Sequence, residues 1–384
     1  MSEYQYYEFL AVDRSLTDEE RAALRTITTR ATITPWRLQN VYHWGSFKGD
    51  PLDLMTRYFD LFVYVANWGT SRFMVRLPLR VLPAEAVTPY DAYDVLSTHV
   101  RDEHIILDML RHDEDGYGWI EDEEAESWMP VLAPLRIALA GGDYRALYIA
   151  WLAGIDLGEM DREATEPPLP AGLGQTDASL DALAEFLGVD RDLLSAAAEA
   201  SPPRPEAPSQ QEVRAWLHSL PAEEKDAVLE RLVIGEEPHL RAGILQRYRQ
   251  AQGAAEAPAP PRRLVGDILD RAAEIREDRL RAEAEAEARR RAAEAHARAV
   301  ARAAHLDGIA GQQEALWKEV DVLIATVKPA AYDRAVEILV DLRDLAEREG
   351  TTPRFRMRLD AIREEHARKP SFLARLAEGL QRPA

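Results

Sequence analysis

The sequence predicts an α+β N-terminal domain with a small mixed sheet, followed by mainly α-helical modules that include a long charged helix and a C-terminal αα-hairpin. Three observations predict it. Before Asp113 the apolar and aromatic residues fall in short runs separated by turn residues, as in strands and short helices. Beyond it they recur every three or four residues, the helical period. Proline-rich breaks at residues 166–170, 201–205 and 254–261 then cut the helical part into modules. The expected division is 1–160, an α+β domain with an acidic loop; 175–250, a small helical module; and 262–384, a long helix plus a helical hairpin.

Tyr4, Tyr6, Tyr7, Phe9, Leu10 and Val12 form a run expected as a buried strand. Thr17 and Glu20 are spaced as a capping box that opens a helix. Residues 38–44 read as a second strand. From 50 to 68, Leu54, Tyr58, Phe62 and Val65 recur every three or four residues and read as a helix. Residues 73–77 and 104–110 alternate as strands do. Residues 128–152 read as a helix broken at Gly141-Gly142-Asp143, and 166–170 as a linker or extended strap. Short helices are expected over 180–187 and 190–200. Ser209 and Glu212 form a second capping box ahead of a helix carrying Trp216 and Leu217, and helices continue to about residue 250.

Residues 264–304 read as one long helix. Its apolar positions, Leu264, Ile268, Ala272 and Ile275, fade into alanine between 282 and 299. There Glu285–Arg289, Glu287–Arg291 and Glu294–Arg298 lie four apart in the favourable sense. This stretch reads as a solvent-exposed helix or a small-residue coiled coil. Two apolar stripes, one from Leu316 to Val327 and one from Tyr332 to Leu345, flank Lys328-Pro329 and read as an αα-hairpin. A helix over 353–366 and a short one after Pro370 complete the expected series.

Across its 384 residues the net charge is −20, unevenly placed. Residues 1–260 carry a net −21 and residues 261–384 a net +1. An acidic surface repels phosphate backbones, so nucleic acid is not an expected partner. The chain has no cysteine, which removes disulfides, Cys-based zinc sites and thiol nucleophiles. Met1-Ser2-Glu3-Tyr4-Gln5 lacks the basic-then-apolar pattern of a signal peptide. The longest apolar run, 146–155, is far short of the roughly 20 residues of a membrane span. A cytoplasmic protein without a membrane partner is the expectation. No glycine-rich phosphate-binding loop is present, and no cofactor is expected.

Ala331-Tyr332-Asp333-Arg334-Ala335-Val336, Val340 through Ala346, and His366-Ala367-Arg368-Lys369-Pro370-Ser371 resemble the helical tail of bacterial SWIM zinc-finger proteins. The finger itself, with its Cys and His ligands, has no counterpart, so the resemblance implies neither zinc nor finger-type DNA binding. Tyr4-Gln5-Tyr6-Tyr7-Glu8-Phe9 and Tyr42-His43-Trp44-Gly45 resemble an uncharacterised bacterial protein family, which implies no activity.

Three clusters carry candidate chemistry. Asp113, Asp115, Gly118, Ile120, Glu121 and Glu124 fall at positions 1, 3, 6, 8, 9 and 12 of a calcium-loop spacing, though Tyr117 occupies position 5. The alternative is a solvated acidic loop. His104, Asp108 and His112, four apart, share a face and, with nearby His99, Asp102 and Glu103, are candidate metal ligands; the alternative is ordinary sheet residues near an edge. His43, Trp44, Ser46, Lys48 and Asp50 gather at a strand-to-helix junction, where Ser46 with His43 as base would suit a hydrolase. The alternative there is that Asp50 caps the next helix and Trp44 packs in the core. No residue is assigned a catalytic role.

The modular organisation, the long charged helix and the hairpin favour a protein-interaction or adaptor role with a protein partner over an enzyme. Two other readings stand beside it. One is a metal-dependent or hydrolytic enzyme using the N-terminal domain. The other is a weak nucleic-acid binder using Arg289, Arg290, Arg291, Arg354, Arg356 and Arg358 of the Arg-rich C-terminal third.

Overall fold

A computed structural model of the protein describes residues 3–92, 94–112, 122–158, 160–204, 208–234, 239–251 and 262–381. The aromatic run at its start is strand β1 (Gln5–Leu10), whose side chains are buried on both faces of a sheet. The Thr17–Glu20 capping box opens α1 (Asp18–Ile27). Strands β2 (Thr32–Ile33) and β3 (Arg37–Tyr42) follow, then α2 (Pro51–Arg57). Strands β4 (Leu61–Ala66) and β5 (Thr70–Pro78), the short α3 (Ala84–Val87), and strands β6 (Leu96–Arg101) and β7 (His104–His112) complete a seven-stranded sheet. Its order is β2-β3-β1-β4-β5-β7-β6, and every neighbouring pair is antiparallel. The α+β class is borne out; the sheet is larger than expected and wholly antiparallel rather than mixed.

The expected helix over 50–68 is instead a seven-residue helix, a turn and strand β4. Leu61-Phe62-Val63-Tyr64-Val65-Ala66 is an unbroken run of aliphatic and aromatic side chains buried from both sides, and such a run does not reveal its period.

Side-chain alternation gives the sheet two cores. Tyr7, Phe9, Leu38, Phe62, Met74 and Ile106 pack under Leu24 of α1 and Leu54 and Met55 of α2. On the opposite face Val63, Val65, Phe73, Val75, Leu107 and Met109 pack against five helices. These are α4 (Asp122–Leu132), α5 (Pro134–Ala140), α6 (Arg145–Asp156), α7 (Ala178–Phe186) and α8 (Arg191–Ala198). Every side chain of α6 from Arg145 to Ile155 is buried, as its near-continuous apolar sequence requires. The Ser209–Glu212 capping box opens α9 (Gln210–Ser219), followed by α10 (Ala222–Ile234) and α11 (Leu240–Ala251).

The long helix α12 (Val265–Ile309) begins in one compact unit and ends in another. The units are Met1–Arg279 and Leu280–Ala384, so the division falls inside α12 rather than in the proline-rich stretch before residue 262. Its first turns bury Val265, Ile268 and Ala272 in the first unit's core. The strap around Glu166 is extended: Thr165 pairs with Leu264, and Glu166 N donates to Arg263 O at 2.9 Å. Arg271, Arg276 and Arg279 pair with Glu199, Asp190 and Asp192.

The second unit contains the expected hairpin, α13 (Gln313–Ala325) and α14 (Pro329–Arg348), with α15 (Thr352–Glu365) and α16 (Pro370–Gln381). Trp317, Val320, Ile324, Val336, Leu339, Phe355, Leu359 and Phe372 form its core. Arg302 of α12 pairs with both Asp341 and Asp344 of α14. Among the described residues no helix is long and apolar enough to cross a membrane.

Candidate functional site

The β6–β7 hairpin brings His99 beside Ser97 and Asp108. Nε2 of His99 lies 3.3 Å from Ser97 Oγ and 3.6 Å from Asp108 Oδ2. A serine–histidine–carboxylate relay requires the serine on one ring nitrogen and the carboxylate on the other, and here a single nitrogen faces both. Arg72 on β5, diagonally across and paired in register with Leu110, binds Asp108 through Nε at 2.8 Å and Nη2 at 2.6 Å. The carboxylate is thereby committed to a bidentate ion pair within the sheet.

His104 and His112 stand at opposite ends of β7. Their side chains share a face with Asp108, but each four-residue step along a strand spans roughly 13 Å. Nδ1 of His112 lies 2.8 Å from Thr70 Oγ1. Burial and the neighbouring Arg76 hold the His104 imidazole below its ordinary pKa, against the opposing pull of Asp60 and Asp13. Asp102 and Glu103 form the turn before it, with Asp102 at φ 51°. Among the described residues, no group of three or more His, Asp or Glu is placed to hold a metal ion. Asp113, Asp115, Gly118, Ile120 and Glu121 lie outside the described residues. Glu124 is exposed on α4, and the element before residue 113 is strand β7, where a calcium-binding helix–loop–helix requires a helix.

In the 43–50 loop Asp50 caps α2, its Oδ1 accepting from Leu52 N at 2.9 Å. Phe47 packs on Tyr7 and Phe9. Trp44, expected in the core, is 66% exposed, with the Arg30 guanidinium 5.3 Å from its ring. The His43 ring lies 5.8 Å from that of Tyr4. Ser46 and Lys48 are exposed, and among the described residues no hydrogen bond joins Ser46 to His43.

A further arrangement, which sequence reasoning did not single out, involves α9 to α11. A buried charge cluster anchors α11. Arg136 of α5 donates to Asp13 Oδ2 at 2.7 Å and to the Arg76 carbonyl at 3.0 Å, and Arg76 pairs with Asp60. His239, at the start of α11, places Nε2 3.1 Å from Arg136 Nη2 and 3.4 Å from Asp13 Oδ2. Burial pushes the Asp13 carboxyl up, but His239 and Arg136 outweigh it and hold it well below the usual carboxylate range. Trp216 of α9 stacks edge-on against Tyr248 of α11 at 5.3 Å, and Glu224 of α10 pairs with Arg247 of α11.

Held in this way, α10 itself buries no side chain. Leu229, Leu232, Val233 and Ile234 are 57%, 64%, 85% and 54% exposed. Beside them Glu223, Asp226 and Glu230, spaced i, i+3, i+7 on one line, are exposed and form no ion pair among the described residues. The signal in the sequence was the pairing of Val228-Leu229 with Leu232-Val233 at helical spacing. That pattern reads as an ordinary core-facing stripe, and only the fold shows that nothing within the described structure covers it. No protein-family model, curated protein or solved structure matches the chain.

Proposed function

We propose that this protein acts through protein–protein contact, as an interaction or adaptor protein. The supporting observation is the uncovered apolar stripe of α10. Soluble proteins scatter single apolar side chains over their surfaces, but contiguous ones mark contact sites. Three such residues, Leu229, Leu232 and Val233, within five positions of one helix, on a module pinned by a buried ion cluster, fit a surface kept in place for a partner. In the β7 and 43–50 clusters, Asp108 is held in an ion pair with Arg72 and Asp50 caps α2. Affinity capture of the full chain from its native cells at low salt tests the reading. A partner recovered in stoichiometric amount is the expected result, and recovery of the protein alone overturns it.

A further inference from the structure

Resting on that reading, we propose that α10 docks a basic amphipathic helix from a different protein. Two parallel lines on α10 define the complement. The apolar line, Leu229, Leu232 and Val233, needs an opposing apolar stripe that packs helix on helix. The acidic line, Glu223, Asp226 and Glu230, runs along one side of it, because Asp226 and Glu230 each lie three residues before Leu229 and Val233. These three carboxylates are exposed and make no ion pair among the described residues. Many other surface carboxylates of this chain are matched by arginine: Glu20 by Arg14, Glu199 by Arg271, Asp333 by Arg375. On its other side α10 is already satisfied, through Glu224 and Arg247. A partner helix with Lys or Arg along one flank of its apolar stripe supplies both missing halves, burying the leucines and pairing the carboxylates.

The test uses the full chain and a labelled synthetic helical peptide of about 20 residues, with leucines at i, i+3, i+4, i+7 and lysines on one flank. A second peptide carries glutamate in place of each lysine. Fluorescence anisotropy should show binding of the lysine peptide, weakened at least about tenfold by Leu232→Asp, by the triple change Glu223→Gln, Asp226→Asn, Glu230→Gln, and by raising salt from about 50 to about 200 mM. The glutamate peptide should not bind. Because α10 buries no side chain, these variants should keep the wild-type melting temperature, which separates lost binding from lost folding. Equal binding of the two peptides, or indifference to the variants, overturns the proposal. So does a wild-type dimer in sedimentation velocity that Leu232→Asp turns into monomer, since a second copy would then occupy the face. A native partner captured equally by wild type and Leu232→Asp leaves the adaptor reading standing and removes this inference alone.

Discussion

Glu166 shows how much one carboxylate can organise. It accepts from Arg263 Nη2 at 2.7 Å and Nε at 3.0 Å and from the Tyr148 hydroxyl, while Arg263 also reaches the carbonyls of Ala196 and Ala197. Burial raises its pKa, but Arg263 and Tyr148 outweigh burial, and the folded value lies below the ordinary 4.5. A group depressed in the folded state stabilises it above the unfolded pKa and loses that contribution as pH falls through the folded value. Glu166→Gln should therefore cost about 3 kcal/mol at pH 7, by stranding Arg263. In urea titrations the gap from wild type should stay full above pH 4.5 and close below it; a gap independent of pH would contradict this assignment. Gly188 makes a second residue-scale case. It sits at φ 62°, and an added Cβ would overlap the Arg111 guanidinium, which donates to Leu187 O at 2.6 Å. Gly188→Ala should lower stability by about 1–3 kcal/mol in thermal melts. Residue-scale roles were legible where partners are close in sequence. The capping boxes at Thr17 and Ser209 needed only a four-residue window, as confirmed in α1 and α9. The roles of Asp108 and Glu166 were not legible, because Arg72 and Arg263 lie 36 and 97 residues away.

At the scale of elements, the amphipathic helices of the C-terminal part were readable because a single buried stripe survives along each. Strand β6 was missed: its outer residues are polar and half-exposed, so it lacks the apolar run that marked β1 and β7. The metal reading of His104, Asp108 and His112 depended on element type, since four residues close up on a helix and spread along a strand. Packing between elements supplies a prediction of its own. Gly379 of α16 meets α14 so closely that an added Cβ would overlap Cγ1 of Val336. Alanine is favoured over glycine in a helix by about 1 kcal/mol, yet valine is rigid and cannot swing aside. Gly379→Ala should thus destabilise the second unit by about 1–2 kcal/mol despite its better propensity. Adding Val336→Ala should recover part of that loss in a double-mutant cycle, and simple additivity of the two changes would show that the contact is not close.

For the whole molecule, composition pointed to a division at the proline-rich stretch before residue 262, where net charge changes from −21 to +1. Contacts place the division eighteen residues later, after Arg279. Composition misses those residues because they are as charged as the rest of α12; what binds them to the first unit is Val265, Ile268, Ala272 and a row of arginines facing acids on α8 and its flanks. A chain ending at Arg279 should consequently melt as a stable domain, whereas one ending at Pro261 should lose on the order of 5 kcal/mol, from uncovered apolar side chains and an unpaired Glu166. At this size that is about 10 °C or more in melting temperature. Equal melting of the two truncations would place the boundary back at residue 261.

The segment of α12 from Leu280 to Ala301 is exposed at every position, held by its backbone and by pairs such as Glu287–Arg291 at 2.6 Å. Such a stretch obeys helix–coil statistics rather than all-or-none folding. An isolated segment of this composition would be limited by nucleation, but here the folded turns at each end supply the nucleus, so only propagation remains. Heating should unwind it gradually, giving far-ultraviolet ellipticity a steady slope on which the sharp transitions of the two cores are superimposed.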